Sequence, residues 1–189
     1  MTAFDPAGGG APTGGGAPTG AGPVAVLVGP PGAGKSTIGA LLAEKLGRPF
    51  ADTDTIIEAT AGKPIPEIFI DDGEPHFRKL EAEAVATALA SFDGVLALGA
   101  GAILADATRA RLRGYPVVYL LVDFSDAMKR VGLGAGRPLL KINPRATMRH
   151  LLEQRRPFYE EVARYTIDTS GRTPDEIVAS IVESLSDDA

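Results

Sequence analysis

The sequence predicts a three-layer α/β domain with a mostly parallel sheet, and three observations carry that prediction. Short apolar runs alternate with amphipathic helical stretches along the chain. The first run leads directly into a glycine-rich turn and then a helix. The chain has 189 residues and 44% hydrophobic content, enough for one domain with a real core. Strand order is not readable from periodicity.

Residues 1–22, "MTAFDPAGGGAPTGGGAPTGAG", hold almost nothing that can bury surface and read as a disordered tail. Residues 23–189 are therefore expected to form the domain. From Pro23 the run "VAVLV" has the continuous apolar character of a strand covered on both faces. The segment "STIGALLAEKLG" then keeps Ile38, Leu41, Leu42 and Leu46 on one helical face, with Gly47 placed to stop it. A short strand is expected from Phe50 to Thr53. "EPHFRKLEAEAVATALA" follows as a helix with Phe77, Leu80 and Ala84 facing inward. "VLALG" from Val95, "PVVYLLV" from Pro116 and "RYTID" supply three more strands. A glycine-broken stretch runs from Val131 to Gly136. Beyond it, Asn143-Pro144 starts a helix carrying Met148, Leu151, Leu152 and Arg155. Thr173-Pro174-Asp175-Glu176 is a capping box with proline in the first helical position, ahead of a stripe of Ile177, Val178, Ile181, Val182 and Leu185.

The segment from Gly29 to Ser36 satisfies GxxxxGK[ST] between a predicted strand and a predicted helix, the context in which that pattern binds phosphate. Backbone N–H groups of Gly32, Ala33 and Gly34 and the positive end of the helix face the phosphates. Lys35 reaches the β- and γ-oxygens, the Ser36 hydroxyl ligates Mg²⁺, and Thr37 offers the next hydroxyl. Nucleotide binding is the firm expectation. Downstream, Asp52 and Asp54 are two residues apart and on a strand share a face, open to a crevice at the strand's end. Either is suited to orient Mg²⁺ through water or to take a proton from an alcohol.

Composition excludes several other functions. Nineteen Lys and Arg stand against 24 Asp and Glu, a net charge of −5, so nothing draws the whole chain to nucleic acid or an anionic membrane. Any anion must be held by a local cluster. There is no cysteine, hence no thiolate metal site or disulfide framework, and two histidines make no histidine-rich site. With neither a membrane-spanning run nor a signal-like start, a soluble cytoplasmic protein is expected.

The cradle, "DTD", "IFIDDGEPHFRKLEAE", "LALGAGAIL", "RPLL" and "RRPFYEEVA" occur in the order and approximate spacing of shikimate kinases, over most of residues 23–185. The sequence thus resembles that family. The resemblance implies a P-loop kinase fold with a five-stranded parallel sheet in order 2-3-1-4-5. It also implies an acceptor-binding region over about 54–90, a lid over about 130–140, and a monomer. The implied reaction is transfer of phosphate from ATP, with Mg²⁺, to the 3-hydroxyl of shikimate.

Carried over by position, Lys35 and Ser36 resemble the phosphate lysine and the magnesium ligand, and Asp52 the aspartate near the metal. Asp54 resembles the residue that binds the acceptor hydroxyls and assists deprotonation. Arg78 and Arg155 resemble the arginines on the substrate carboxylate, and Glu81 an acid that orders their pocket. Arg137 is similar to the lid arginine facing the phosphate, Arg130 to an adenine-stacking arginine, and Arg172 and Pro174 to the adenine-side loop. Gly99, Ala100 and Gly101 stand where the family has three glycines beside the acceptor. Ala100 is the departure: were its φ positive, the methyl would cost about 1 kcal/mol or more. Two rivals follow: a kinase for a neutral polyol, and a nucleotide switch without transfer, motivated only by Ala100.

Overall fold

The computed structural model describes residues 22–131 and 143–187. All but one residue of the expected tail, most of the expected lid, and Arg137 lie outside the described residues. Five parallel strands form one sheet in the order β2-β3-β1-β4-β5, the order the family resemblance implies. They are β1 (Ala25–Val28), β2 (Phe50–Asp52), β3 (Val95–Ala97), β4 (Val117–Leu121) and β5 (Tyr165–Asp168).

Both faces of the sheet are covered, which explains why the strands read as apolar runs and not as alternating patterns. Ala25 and Leu27 of β1 pack on one side against Ile38 and Leu42 of α1 (Lys35–Leu46) and Ile177 and Ile181 of α8 (Pro174–Ser186). Val26 and Val28 pack on the other side against Val85 and Leu89 of α4 (Glu74–Ser91) and Tyr159 of α7 (Pro144–Val162). On α4 the inward stripe is Phe77, Glu81, Val85, Ala88 and Leu89; the expected Leu80 and Ala84 are only half-buried.

Four helices went unnamed in the sequence reading: α2 (Thr53–Ala61), α3 (Ile65–Asp71), α5 (Asp106–Leu112) and α6 (Phe124–Val131). Each is nine residues or fewer, too short for an apolar stripe to repeat over several turns. Val131, placed by the sequence in a glycine-broken stretch, is the last residue of α6. Helices α2 and α3, with the start of α4, enclose a small core of their own around Ile57, Ile68 and Phe77. This excursion between β2 and β3 overhangs the carboxyl ends of the strands.

The strand expected to reach Thr53 stops at Asp52, whose Oδ1 accepts the backbone N–H of Asp54 at 3.0 Å and so caps α2. Asp54 therefore sits in the first turn of a helix, and the two aspartates do not share a strand face. A short polar side chain competing for backbone N–H groups ended the strand.

Helix α8 begins as its sequence specifies: Thr173 accepts from the Glu176 N–H and Glu176 accepts from the Thr173 N–H at 2.8 Å. Thr173→Ala is expected to lower stability by about 1 kcal/mol, a fall of roughly 2–4 °C in Tm for a domain of this size. Thermal unfolding followed by circular dichroism checks it; an unchanged Tm would show that the cap adds nothing.

Candidate active site

The first turn of α1 opens the site. Gly34, the residue before the helix, has φ 90°, a left-handed conformation that glycine adopts without a Cβ penalty. No acidic residue occupies the first turn of α1, so its positive end is not neutralised from within. The Lys35 ammonium lies across the loop and donates to the carbonyls of Gly29 at 2.7 Å and Pro30 at 3.1 Å. The cleft over this turn measures about 480 Å³. Residues 32–37, Asp52, Asp54, Ala100, Arg130, Arg172 and Pro174 line it, joined by Leu98, Val131 and Ile177.

Ser36 and Asp52 meet across that cleft, the hydroxyl donating to Asp52 Oδ2 at 2.6 Å. A hydroxyl and a carboxylate from the ends of adjacent elements are hard oxygen donors of the type Mg²⁺ accepts while keeping phosphate oxygens and water in its shell. No cluster of three or more His, Cys, Asp or Glu side chains suited to a metal occurs among the described residues. That agrees with a cation held partly by the nucleotide rather than by an all-protein cage.

Elsewhere along the cleft, Arg130 of α6 donates to the Thr169 hydroxyl at 2.9 Å and the Thr169 carbonyl at 2.8 Å. Asp126, one turn earlier, accepts the Gly171 N–H at 2.8 Å. This bond and its contacts with Lys129 and Arg130 hold its carboxyl below the usual range. The loop after β5 and the helix after β4 are thereby tied together. Arg172 bridges the end of β5 to α8, donating to the Asp168 carbonyl at 3.1 Å, the Glu176 carbonyl at 2.8 Å and the Ser180 hydroxyl at 2.6 Å.

The other expected residues gather beyond Asp54 and Ala100. Arg78 Nη1 lies 2.7 Å from Glu81 Oε2, and Glu81 is only 4% exposed. A Cβ built on Gly99 would stand 2.6 Å from Asp54 Oδ1 and 3.0 Å from Glu81 Oε1, and one on Gly101 would collide with the Arg78 guanidinium. Both glycines serve close approach rather than unusual dihedrals: neither has a positive φ, and Gly101 has φ −95°. Ala100 has no positive φ either, since Asn143 alone among the described non-glycine residues does. The feared strain is absent, and with it the one motive for a switch without transfer. Arg155, 8% exposed on α7, donates to the Ala100 carbonyl at 3.2 Å.

Sequence reasoning missed Thr53, whose buried hydroxyl accepts the Gly99 N–H at 2.9 Å and joins the start of α2 to the glycine loop. It also missed Tyr159, bonded to the Ala100 carbonyl. Each lies inside a motif already singled out, "DTD" and "RRPFYEEVA", but a neutral residue between charged ones gave no electrostatic cue.

A phosphate cradle at the first turn of α1, a hydroxyl–carboxylate pair for a hard cation and a partly buried pair of arginines beyond Asp54 and Ala100 define a P-loop phosphotransferase acting on a small anionic acceptor. The shikimate kinase family model matches residues 31–186. The shikimate kinase of Salinispora arenicola is 64% identical over 163 residues, 86% of this chain and 98% of that protein. That of Thermobifida fusca is 55% identical, over 86% of this chain and 95% of that one. A solved shikimate kinase from Acinetobacter baumannii, in complex with shikimate, superposes with a TM-score of 0.83 at 38% identity, covering 89% of this chain and 94% of that chain. The chain belongs to the shikimate kinase family.

Burial pushes the Glu81 carboxyl above its ordinary value of 4.5, although Arg78 pulls it down. A carboxyl raised in the fold binds its proton more tightly folded than unfolded. Its stabilising contribution is therefore full below the unfolded value and is lost as pH rises through the folded one. Glu81→Gln removes that loss, so the Tm of the variant relative to wild type is expected to rise between about pH 4 and about pH 7. A difference that falls over this range would mean that the Arg78 attraction outweighs burial.

Proposed function

We propose that this protein transfers the γ-phosphoryl group of ATP to the 3-hydroxyl of shikimate, giving shikimate 3-phosphate and ADP. The observation that carries the reading is the position of Asp54 and Ala100. Both line the phosphate cleft, and both also border the cluster of Arg78, Glu81 and Arg155. A small acceptor whose carboxylate rests on Arg78 and Arg155 would present its hydroxyls to Asp54 and to the cradle. The likeness to a shikimate kinase solved with shikimate supports the same assignment.

In this mechanism Lys35 exchanges the loop carbonyls for the β- and γ-oxygens of the nucleotide, and the amides of residues 32–37 hold the phosphate chain. Ser36 and Asp52 would hold Mg²⁺, which would spread the charge of the β- and γ-phosphates. Asp54 orients the acceptor hydroxyl and receives its proton; a loose transition state demands little basicity from it. Arg78 and Arg155 fix the direction of the ring through a planar guanidinium–carboxylate match. Arg130 and the tied loop after β5, with Pro174, bound the adenine side. Arg137, outside the described residues, is assigned by the family resemblance alone to the phosphate that is transferred. Residues 54–90 form the acceptor region and residues 130–140 the lid. Positioning and electrostatics carry the catalysis.

One chain supplies every group named, and the reading is of a monomer. No helix among the described residues is long and apolar enough to cross a membrane, and the cysteine-free sequence suits the cytoplasm, where we place it.

The test is steady-state ADP release with ATP and Mg²⁺, with and without shikimate, and mass identification of the product. Shikimate-dependent ADP and shikimate 3-phosphate are the expected outcome. Phosphorylation of a neutral polyol instead, or nucleotide binding without transfer, would overturn the assignment.

Arg78→Lys keeps the charge but loses the planar fork. It is expected to raise KM for shikimate about tenfold or more, the cost of a lost charge-assisted hydrogen bond, and to leave KM for ATP within about twofold. An equal rise in both constants would place Arg78 outside the acceptor pocket.

A further inference from the structure

The Ala100 carbonyl is held from two sides. Tyr159 Oη donates to it at 2.7 Å and Arg155 Nη1 at 3.2 Å, using both lone pairs of one oxygen. Tyr159 and Arg155 are four residues apart on α7, on the same face of the helix. The two donors thus meet at one carbonyl. Tyr159 is 1% exposed, and its ring stacks on Tyr119 of β4 with centroids 5.1 Å apart and planes 19° from parallel. Burial keeps the phenol protonated and a donor throughout the physiological range.

The neighbouring residue secures the far end of the same segment. Phe158 lies under the Arg109 guanidinium, 4.4 Å from ring centroid to Cζ. Arg109 donates to the carbonyls of Ile103 at 2.8 Å and Leu104 at 3.2 Å. Its Nε stands 2.9 Å from Glu161 Oε2, an ion pair too poorly aligned to be a hydrogen bond. Residues 100–104 are thus braced onto α7 at both ends, and the inner brace is the one that touches an acceptor-binding side chain.

We propose that Tyr159 is a positioning residue for the acceptor: its hydroxyl locks the backbone at Ala100 and the Arg155 guanidinium to each other. Gly101, against which the Arg78 guanidinium packs, follows immediately in the chain. The hydroxyl thereby holds the stretch of backbone that both arginines touch, while the cradle residues Lys35 and Ser36 make their own bonds elsewhere. The consequence is a kinetic split between the two substrates. This inference rests on the proposed function for the identity of the acceptor, and its test has a readout that does not.

Tyr159→Phe removes only the hydroxyl and keeps the stacked ring. KM for shikimate is expected to rise about tenfold, the loss of one buried hydrogen bond beside a charge, with KM for ATP within about twofold of wild type. Hydrogen exchange at the amides of residues 99–104 is expected to quicken while residues 32–37 stay protected. Tyr159→Leu, which also loses the stack, is the comparison: if both variants only lower Tm and leave both KM values alone, Tyr159 is a packing residue and the proposal fails. Unchanged exchange at 99–104 in Tyr159→Phe overturns it whatever the acceptor proves to be. A wild-type enzyme inactive on shikimate would instead count against the proposed function, with the exchange result still deciding the role of Tyr159.

Discussion

Every functional group depends on the parallel register of the sheet. Leu27 of β1 and Asp52 of β2 both pair with Ala97 of β3, and Val28 pairs with Tyr119 of β4, so the strands end at a common edge. Parallel strands deliver each following loop to the same side, and ligands bind in the crevice outside those carboxyl ends. The cradle follows β1, the Asp52 cap follows β2, the glycine loop follows β3, α6 with Arg130 follows β4, and the Thr169 loop follows β5. A one-residue slip of β2 against β3 would move Asp52 away from Ser36 and invert which side chains face the cores.

The register explains how a chain of net charge −5 can hold a polyanion. The field that matters is local: the unneutralised first turn of α1, the Lys35 ammonium beside it, and two arginines at the rim of the cleft, Arg130 from α6 and Arg172 ahead of α8. The acids are mostly spent elsewhere, as caps and ties. Asp52 ends a strand, Asp126 fastens the loop after β5, and Glu176 closes the box at the start of α8. Each of these carboxylates accepts backbone N–H groups, so negative charge is consumed in building the walls of a site that selects negative ligands.

Much of this was legible in the sequence for identifiable reasons. The cradle is a contiguous motif whose chemistry is backbone-borne, and the five strands are apolar because two layers of helices cover them. The helices α2, α3, α5 and α6 were not legible. Their stability comes from tertiary packing of a few residues such as Ile57 and Ile68, which leaves no long periodic stripe. The place of Asp54 was misread because alternation of charged residues was taken for a strand pattern, whereas the Asp52 side chain captured the next backbone donor. Thr53 and Tyr159 act through hydrogen bonds to backbone atoms of residues 46 and 59 positions away, a relation no local pattern encodes. Ala100 shows the converse: the sequence raised a question of strain that only the dihedral angle answered.

The acceptor pocket is built on an opposed balance of charges. Two guanidiniums gathered in one cluster repel each other, and burying either without a partner would cost more than the fold can spare. Glu81 between them reduces that cost, but being almost fully buried it is itself held reluctantly as an anion. Its Oε2 takes Arg78 Nη1, Glu74 Oε1 takes Nε and Nη2 of the same guanidinium at 3.3 and 3.1 Å, and Arg155 is turned to a backbone carbonyl. An acceptor carboxylate at Arg78 would have to take donors that Glu74 now holds, an exposed helix-surface pair that costs little to break. A neutral polyol would offer no charge in exchange, so the arrangement favours an anionic acceptor.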